Sequence, residues 1–113
     1  MRAVKINKNG GPEVLELQEI TLRKPIKDEV LIEHVAIGLN YIDTYHRSGL
    51  YPLMMPAGLG MEASGIIKEI GPEVKNFSVG DKVAYSAVPF GAYSTHRIYK
   101  TNNLVKVPNN VDL

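Results

Sequence analysis

The sequence predicts a mostly-β domain: a small, partly open β-barrel with one or two short helices. Three observations predict it. Apolar runs are short, turn signals recur about every 8–12 residues, and a single segment has the caps and spacing of a helix. At 113 residues, 44% of them hydrophobic, the chain can build one packed core in one domain.

The elements follow in order. Residues 3–6 read as a strand, and Gly10-Gly11-Pro12 breaks it. Residues 14–20 read as a second strand with partial alternation. A polar turn from Pro25 to Asp28 leads to the longest β-like stretch, residues 29–39. Leu31, Val35, Ile37 and Leu39 lie there at same-face spacing. Residues 40–49 form the helix. Asn40 suits the N-cap, Asp43 suits the positive first turn, and Gly49 is a stop. Residues 51–60 hold two prolines and two glycines and read as a loop. Further strands are predicted at 63–70, 82–87, 92–99 and 104–107, about seven in all.

Composition excludes several classes of function. With 13 basic and 12 acidic residues, the net charge of +1 offers no electrostatic case for nucleic acid or an anionic membrane. No apolar run approaches the ~20 residues of a membrane span, and no signal peptide is visible, so a cytoplasmic protein is the default. The absence of cysteine removes disulfides, thiolate metal sites and a cysteine nucleophile. His34, His46 and His96 lack metal-ligand spacing and read as ordinary surface or half-buried residues. Ser64, Ser86 and Ser94 lack a nucleophile-elbow context.

Two motifs need weighing. Gly58-Leu59-Gly60-Met61-Glu62-Ala63 fits G-x-G-x-x-A, but a proline-rich loop precedes it and a β-like run follows. It reads as a bend into a strand, not as a dinucleotide fingerprint. Residues 40–52 gather Tyr41, Tyr45 and Tyr51 with Asn40, Asp43 and Arg47 around one short helix. Such a set can wall a planar ligand, with aromatic faces and few polar groups. The same pattern also fits a surface helix with an aromatic underside and a solvent ion pair.

The chain resembles the medium-chain dehydrogenase/reductase superfamily, in its zinc-free quinone oxidoreductase branch. The segments that carry the likeness are Gly10 to Leu15, Ala36 to Tyr45, Arg47 to Pro52, Gly58 to Gly65, Val79 to Val83 and Gly91 to Ser94. Their order and spacing are specific together. The resemblance implies a GroES-like N-terminal catalytic domain over residues 1–113. It also explains why zinc is not expected. Asn40 and Met61 stand where zinc alcohol dehydrogenases of the superfamily carry a cysteine and a histidine, and neither replaces those ligands.

The resemblance implies hydride transfer from NADPH to a small quinone. It places Asn40, Tyr41, Ile42, Asp43, Thr44 and Tyr45 beside the nicotinamide end of the cofactor. Tyr45 and Tyr51 are the residues that meet the acceptor, and Asp43 and Arg47 form an ion pair that fixes the helix. Family members are considerably longer, often dimeric, and hold the cofactor phosphates on a Rossmann domain. That half is expected in cis or in trans, so this chain alone is not expected to be competent. An excised domain, one half of a split gene and a truncated remnant all fit. The alternative is a free-standing GroES-like binding or assembly module without enzymatic activity.

Overall fold

The computed structural model describes all 113 residues, Met1–Leu113. Eight antiparallel strands form two sheets. The smaller has the order β2-β1-β4 and the larger β7-β3-β5-β6-β8. The strands are β1 (Arg2–Ile6), β2 (Glu16–Glu19), β3 (Glu29–Ile37), β4 (Ala57–Gly58), β5 (Glu62–Ile70), β6 (Lys82–Ser86), β7 (His96–Lys100) and β8 (Val105–Lys106). The single α-helix, α1 (Ile42–Ser48), follows β3.

Residues 93–95 stitch the sheets together. Val4 N donates to Tyr93 O at 2.8 Å, Thr95 N to Arg2 O at 2.8 Å, and His34 N to Thr95 O at 2.8 Å. One seam of the barrel is closed in this way, and the rest stays open. Each sheet carries its own apolar cluster. Val30, Ile32, Ile67 and Val83 centre the larger, and Ile6 and Leu59 the smaller.

Three expectations are corrected. Residues 12–14 form a 3-10 turn, so β2 starts at Glu16 and not at residue 14. Pro12 fixes the turn's first φ angle, and Val14 points into the smaller core. The strand expected at 92–99 runs instead over His96–Lys100, because residues 92–95 are taken up by the seam.

The third correction concerns β3. Of the four residues at same-face spacing, Leu31 alone is buried, while Val35, Ile37 and Leu39 are 55%, 44% and 84% exposed. The pairing of β3 with β5 shifts register between Leu31 and Ile32 and again between His34 and Ala36. The second shift leaves Val35 as an extra residue in β3 and reverses the facing of the residues after it, whereas the first places its extra residue, Lys68, in β5. Val30 and Ile32 take the interior, and the far end of β3 leads its apolar residues out toward α1.

Candidate active site

Helix α1 has only seven residues, too few to persist without tertiary contacts. It begins two residues later than expected. Asn40 does not cap it with its side chain. Instead the Asp43 carboxylate reaches back, and its Oδ2 accepts from Asn40 N at 3.1 Å. That is the return half of a capping box. Gly49, in the left-handed conformation, ends the helix as expected.

The Asp43–Arg47 ion pair does not form. No Asp43 oxygen lies within 4.0 Å of an Arg47 nitrogen among the ion pairs of the chain. Asp43 is turned inward, 4% exposed, and its Oδ2 also accepts from the Tyr93 hydroxyl at 2.5 Å. Burial, and then the hydrogen bond to Asp43, push the Tyr93 phenol far above its ordinary value. It therefore stays a protonated donor. Arg47 serves the other end of the helix. Its Nε donates to Gly10 O at 3.2 Å, and Gly10 N donates to Arg47 O at 3.0 Å.

Asn40, Tyr41, Asp43 and Thr44 line one cavity of about 430 Å³, together with Arg47, Tyr93, Leu15, Leu39 and Leu59. Ile42, Tyr45 and Tyr51 do not line it. Tyr45 and Tyr51 continue outward from Tyr41 as an aromatic ladder. Tyr41 meets Tyr45 edge to face at 5.5 Å between centroids, and Tyr45 meets Tyr51 in the same way at 5.5 Å. Tyr51 N donates to Tyr45 O at 3.2 Å and holds the ladder's lower rung. The Thr44 hydroxyl is spent on Tyr41 O at 2.7 Å. A larger depression, about 710 Å³, lies on the open face of the main sheet. Its walls combine small side chains such as Gly38, Ala63 and Ala84 with Glu62, Tyr85 and Asn103, and none of the residues that the sequence singles out around α1 lines it.

Two histidines are more integrated than expected. His46 is buried and packs on Phe90 at 4.3 Å between centroids. His34 is clamped on both nitrogens. Ser94 O, which can only accept, lies 2.7 Å from Nδ1, so Nδ1 carries the proton. The Tyr85 hydroxyl then donates to Nε2 at 2.9 Å, and Arg97 donates to that hydroxyl at 3.3 Å. Burial holds His34 below its ordinary value.

Tyr93 was not singled out for a role in the sequence. It stands in the Gly91–Ser94 motif, but its partner Asp43 is fifty positions away. The glycine motif behaves as read. Gly60 has φ +97°, and β5 begins two residues later, so the run is a bend into a strand.

These features define a class: a mostly-β, partly open barrel with a cavity along one short helix. Residues 26–109 match the alcohol dehydrogenase GroES-like domain, and the chain belongs to that family. Its relatives lie in the quinone oxidoreductase branch of the medium-chain dehydrogenases and reductases. A quinone oxidoreductase of Pseudomonas aeruginosa is 48% identical over 104 residues, covering 91% of this chain and 32% of that protein. A 2-haloacrylate reductase of a Burkholderia species is 40% identical over 115 residues, covering 98% and 34%. The solved Escherichia coli quinone oxidoreductase complexed with NADPH superposes with a TM-score of 0.95 at 41% identity, over 99% of this chain and 35% of that one. The chain thus spans about a third of the length of the relatives it matches. No helix is long and apolar enough to cross a membrane.

Proposed function

We propose that this domain forms the acceptor-side wall of an NADPH-dependent quinone reductase. The observation that carries the proposal is the cleft. Asn40, Tyr41, Asp43 and Thr44 meet on one cavity of about 430 Å³, with an aromatic ladder leading away from it. Leucine and tyrosine side chains beside Asn40, Asp43, Thr44 and Arg47 combine apolar surface with polar groups that can orient a planar carbonyl acceptor. The names of the relatives and the NADPH bound to the Escherichia coli protein support the same reading.

The residues present suit the nicotinamide end of the cofactor and not its phosphates. The glycine run enters a strand instead of a helix, so it offers no helix N-terminus to a pyrophosphate. A Rossmann half, in cis or in trans, is the proposed holder of the pyrophosphate. NADPH, when bound, supplies a hydride. This chain's part is to bind, orient and exclude water. Asn40 offers an amide at the cavity wall. Leu15, Leu39 and Leu59 give the cavity apolar walls, the Tyr41 ring stands there for a flat acceptor, and Tyr45 and Tyr51 extend the aromatic surface outward from it. Solvent water can protonate the reduced quinone, so no side chain is required as the proton donor. Electron-poor alkenes are a second acceptor class, favoured by the 2-haloacrylate reductase among the relatives.

The test is a transplant. Residues 1–113 replace the matching domain of the Pseudomonas aeruginosa relative, and NADPH oxidation is followed with 1,4-benzoquinone and with 2-chloroacrylate. The transplant is expected to reduce benzoquinone at a rate comparable with its parent, and the isolated chain to oxidise NADPH negligibly. A folded transplant that binds NADPH yet reduces neither acceptor overturns the proposal and revives a GroES-like binding module. Clear turnover by the isolated chain removes the need for a Rossmann half.

A further inference from the structure

We propose that Tyr93 is a positioning residue for the cleft: through Asp43 it sets Asn40 and the first turn of α1 at the cavity wall. The proposal rests on the quinone reductase reading only for what the cleft binds.

The geometry builds it from the fold outward. Tyr93 is fixed by its own backbone on two sides. Its N–H donates to Leu59 O at 2.9 Å, and its carbonyl accepts from Val4 N at 2.8 Å. Its ring passes under Gly60, where a Cβ would lie 2.5 Å from Tyr93 Cδ1. The hydroxyl is thus delivered to one place by β1 of the smaller sheet and the bend that follows β4. It meets Asp43 Oδ2, which also accepts from Asn40 N.

Nothing else tethers that end of the helix from outside. The N-cap side chain makes no capping bond, and Asp43 Oδ1 is buried with no partner. The carboxylate is therefore held by the Tyr93 phenol and the Asn40 amide alone. The first turn depends on Asn40 and Tyr41, whose carbonyls accept from Asp43 N and Thr44 N at 3.0 Å each. Moving Asp43 moves both residues, and both line the cavity. The far end of the helix is clamped independently, by Arg47 and Gly10. The two clamps share no group, so each can be released without the other.

The experiment uses the 113-residue chain and amide hydrogen exchange by NMR. Tyr93→Phe keeps the ring under Gly60 and removes the hydroxyl. Exchange of the Asn40 amide is expected to quicken by about tenfold or more, while the Gly10 amide changes by less than about twofold. Arg47→Ala is expected to give the reverse pattern. The wild-type chain is expected to show a slowly exchanging, far-downfield hydroxyl proton that Tyr93→Phe removes. If both amides quicken by a common factor, or Asn40 does not respond, the proposal fails. Should Tyr93→Phe not fold, Asp43→Asn serves instead: the same selective loss at Asn40, in smaller degree, supports the proposal, and no loss overturns it. In the transplanted enzyme Tyr93→Phe is expected to lower kcat with the KM for benzoquinone little changed. An active transplant with unchanged kcat would detach Tyr93 from the cleft. An inactive transplant counts against the quinone reductase reading, and the exchange pattern then decides the role of Tyr93 alone.

Discussion

The Tyr85 hydroxyl donates to His34 Nε2 at 2.9 Å, and this bond exists only while the His34 ring is neutral. Because burial holds His34 below its ordinary value of 6.5, the folded chain prefers the neutral ring more than the unfolded chain does. The stability this contributes is complete above the unfolded value and is lost as pH falls from there through the lowered folded value. Thermal unfolding followed between pH 7.5 and 5 is expected to show a falling midpoint. His34→Gln, which can still donate and accept but does not titrate, is expected to lower the midpoint at pH 7.5 and to flatten part of the acid slope. An identical slope in the variant would remove His34 from the account.

Arg47 and Asp43 sit on one helix but serve different clamps, so their effects on stability are expected to add. In a double-mutant cycle by chemical denaturation, Asp43→Asn and Arg47→Ala couple by less than about 0.5 kcal/mol. Asp43→Asn and Tyr93→Phe couple by about 1 kcal/mol or more, because they share a hydrogen bond to a charged group. Strong coupling between Asp43 and Arg47 would restore the ion pair that the sequence suggested.

Gly60 and Gly80 have nearly the same φ, +97° and +94°, but different surroundings. A Cβ at Gly60 meets Tyr93, whereas one at Gly80 meets nothing within 4 Å. Gly80→Ala therefore tests left-handed strain by itself, and is expected to cost about 1 kcal/mol. Gly60→Ala adds a collision with a ring that cannot retreat, and is expected to cost about 2 to 4 kcal/mol. Equal losses in denaturant unfolding would mean that Tyr93 moves freely, against the rigid delivery of its hydroxyl.

Glu29 opens β3 and ties down the strap before it. Its oxygens accept from the Arg23 guanidinium at 2.6 and 2.9 Å and from Ile26 N at 3.0 Å. The Arg23 hydrogen bonds, then the Ile26 amide, lower its carboxyl from 4.5 to about 2. Stability from this contact is present above 4.5 and lost as pH falls toward 2. Arg23→Ala is expected to move the Glu29 midpoint back toward 4.5 in a carboxyl NMR titration. Its effect on global stability is expected to be small, because the Arg23 side of the pair is exposed to solvent.

The parts of the fold that the sequence shows clearly are those encoded by neighbours in the chain. The stop at Gly49, the acidic first turn at Asp43, and the bend at Gly58–Gly60 each need only local chemistry, and each holds. Alternation puts Leu31, Val35, Ile37 and Leu39 on one face, but it assumes an unbroken ladder. The bulge at Val35 depends on the pairing of β3 with β5, which no single strand encodes. The cleft was half legible for the same reason. Asn40 through Thr44 are contiguous, so one motif shows them together. Tyr93 and Leu59 reach the cavity only when residues 93–95 close the seam between the sheets.

The aromatic ladder yields a prediction about the acceptor itself. Tyr45 stands between Tyr41 and Tyr51 and touches both edge to face, so its ring holds the spacing of the other two. Its hydroxyl has no hydrogen bond to the protein among those the chain forms. If the ring is what matters, Tyr45→Phe in the transplanted enzyme will reduce benzoquinone within about threefold of the parent rate, while Tyr45→Ala will lose about tenfold or more in kcat/KM. If the hydroxyl instead supplies the proton to the reduced acceptor, Tyr45→Phe will fall as far as Tyr45→Ala. The comparison of the two variants separates a wall from a proton donor, since water can replace the proton but nothing replaces the ring that keeps Tyr41 and Tyr51 apart.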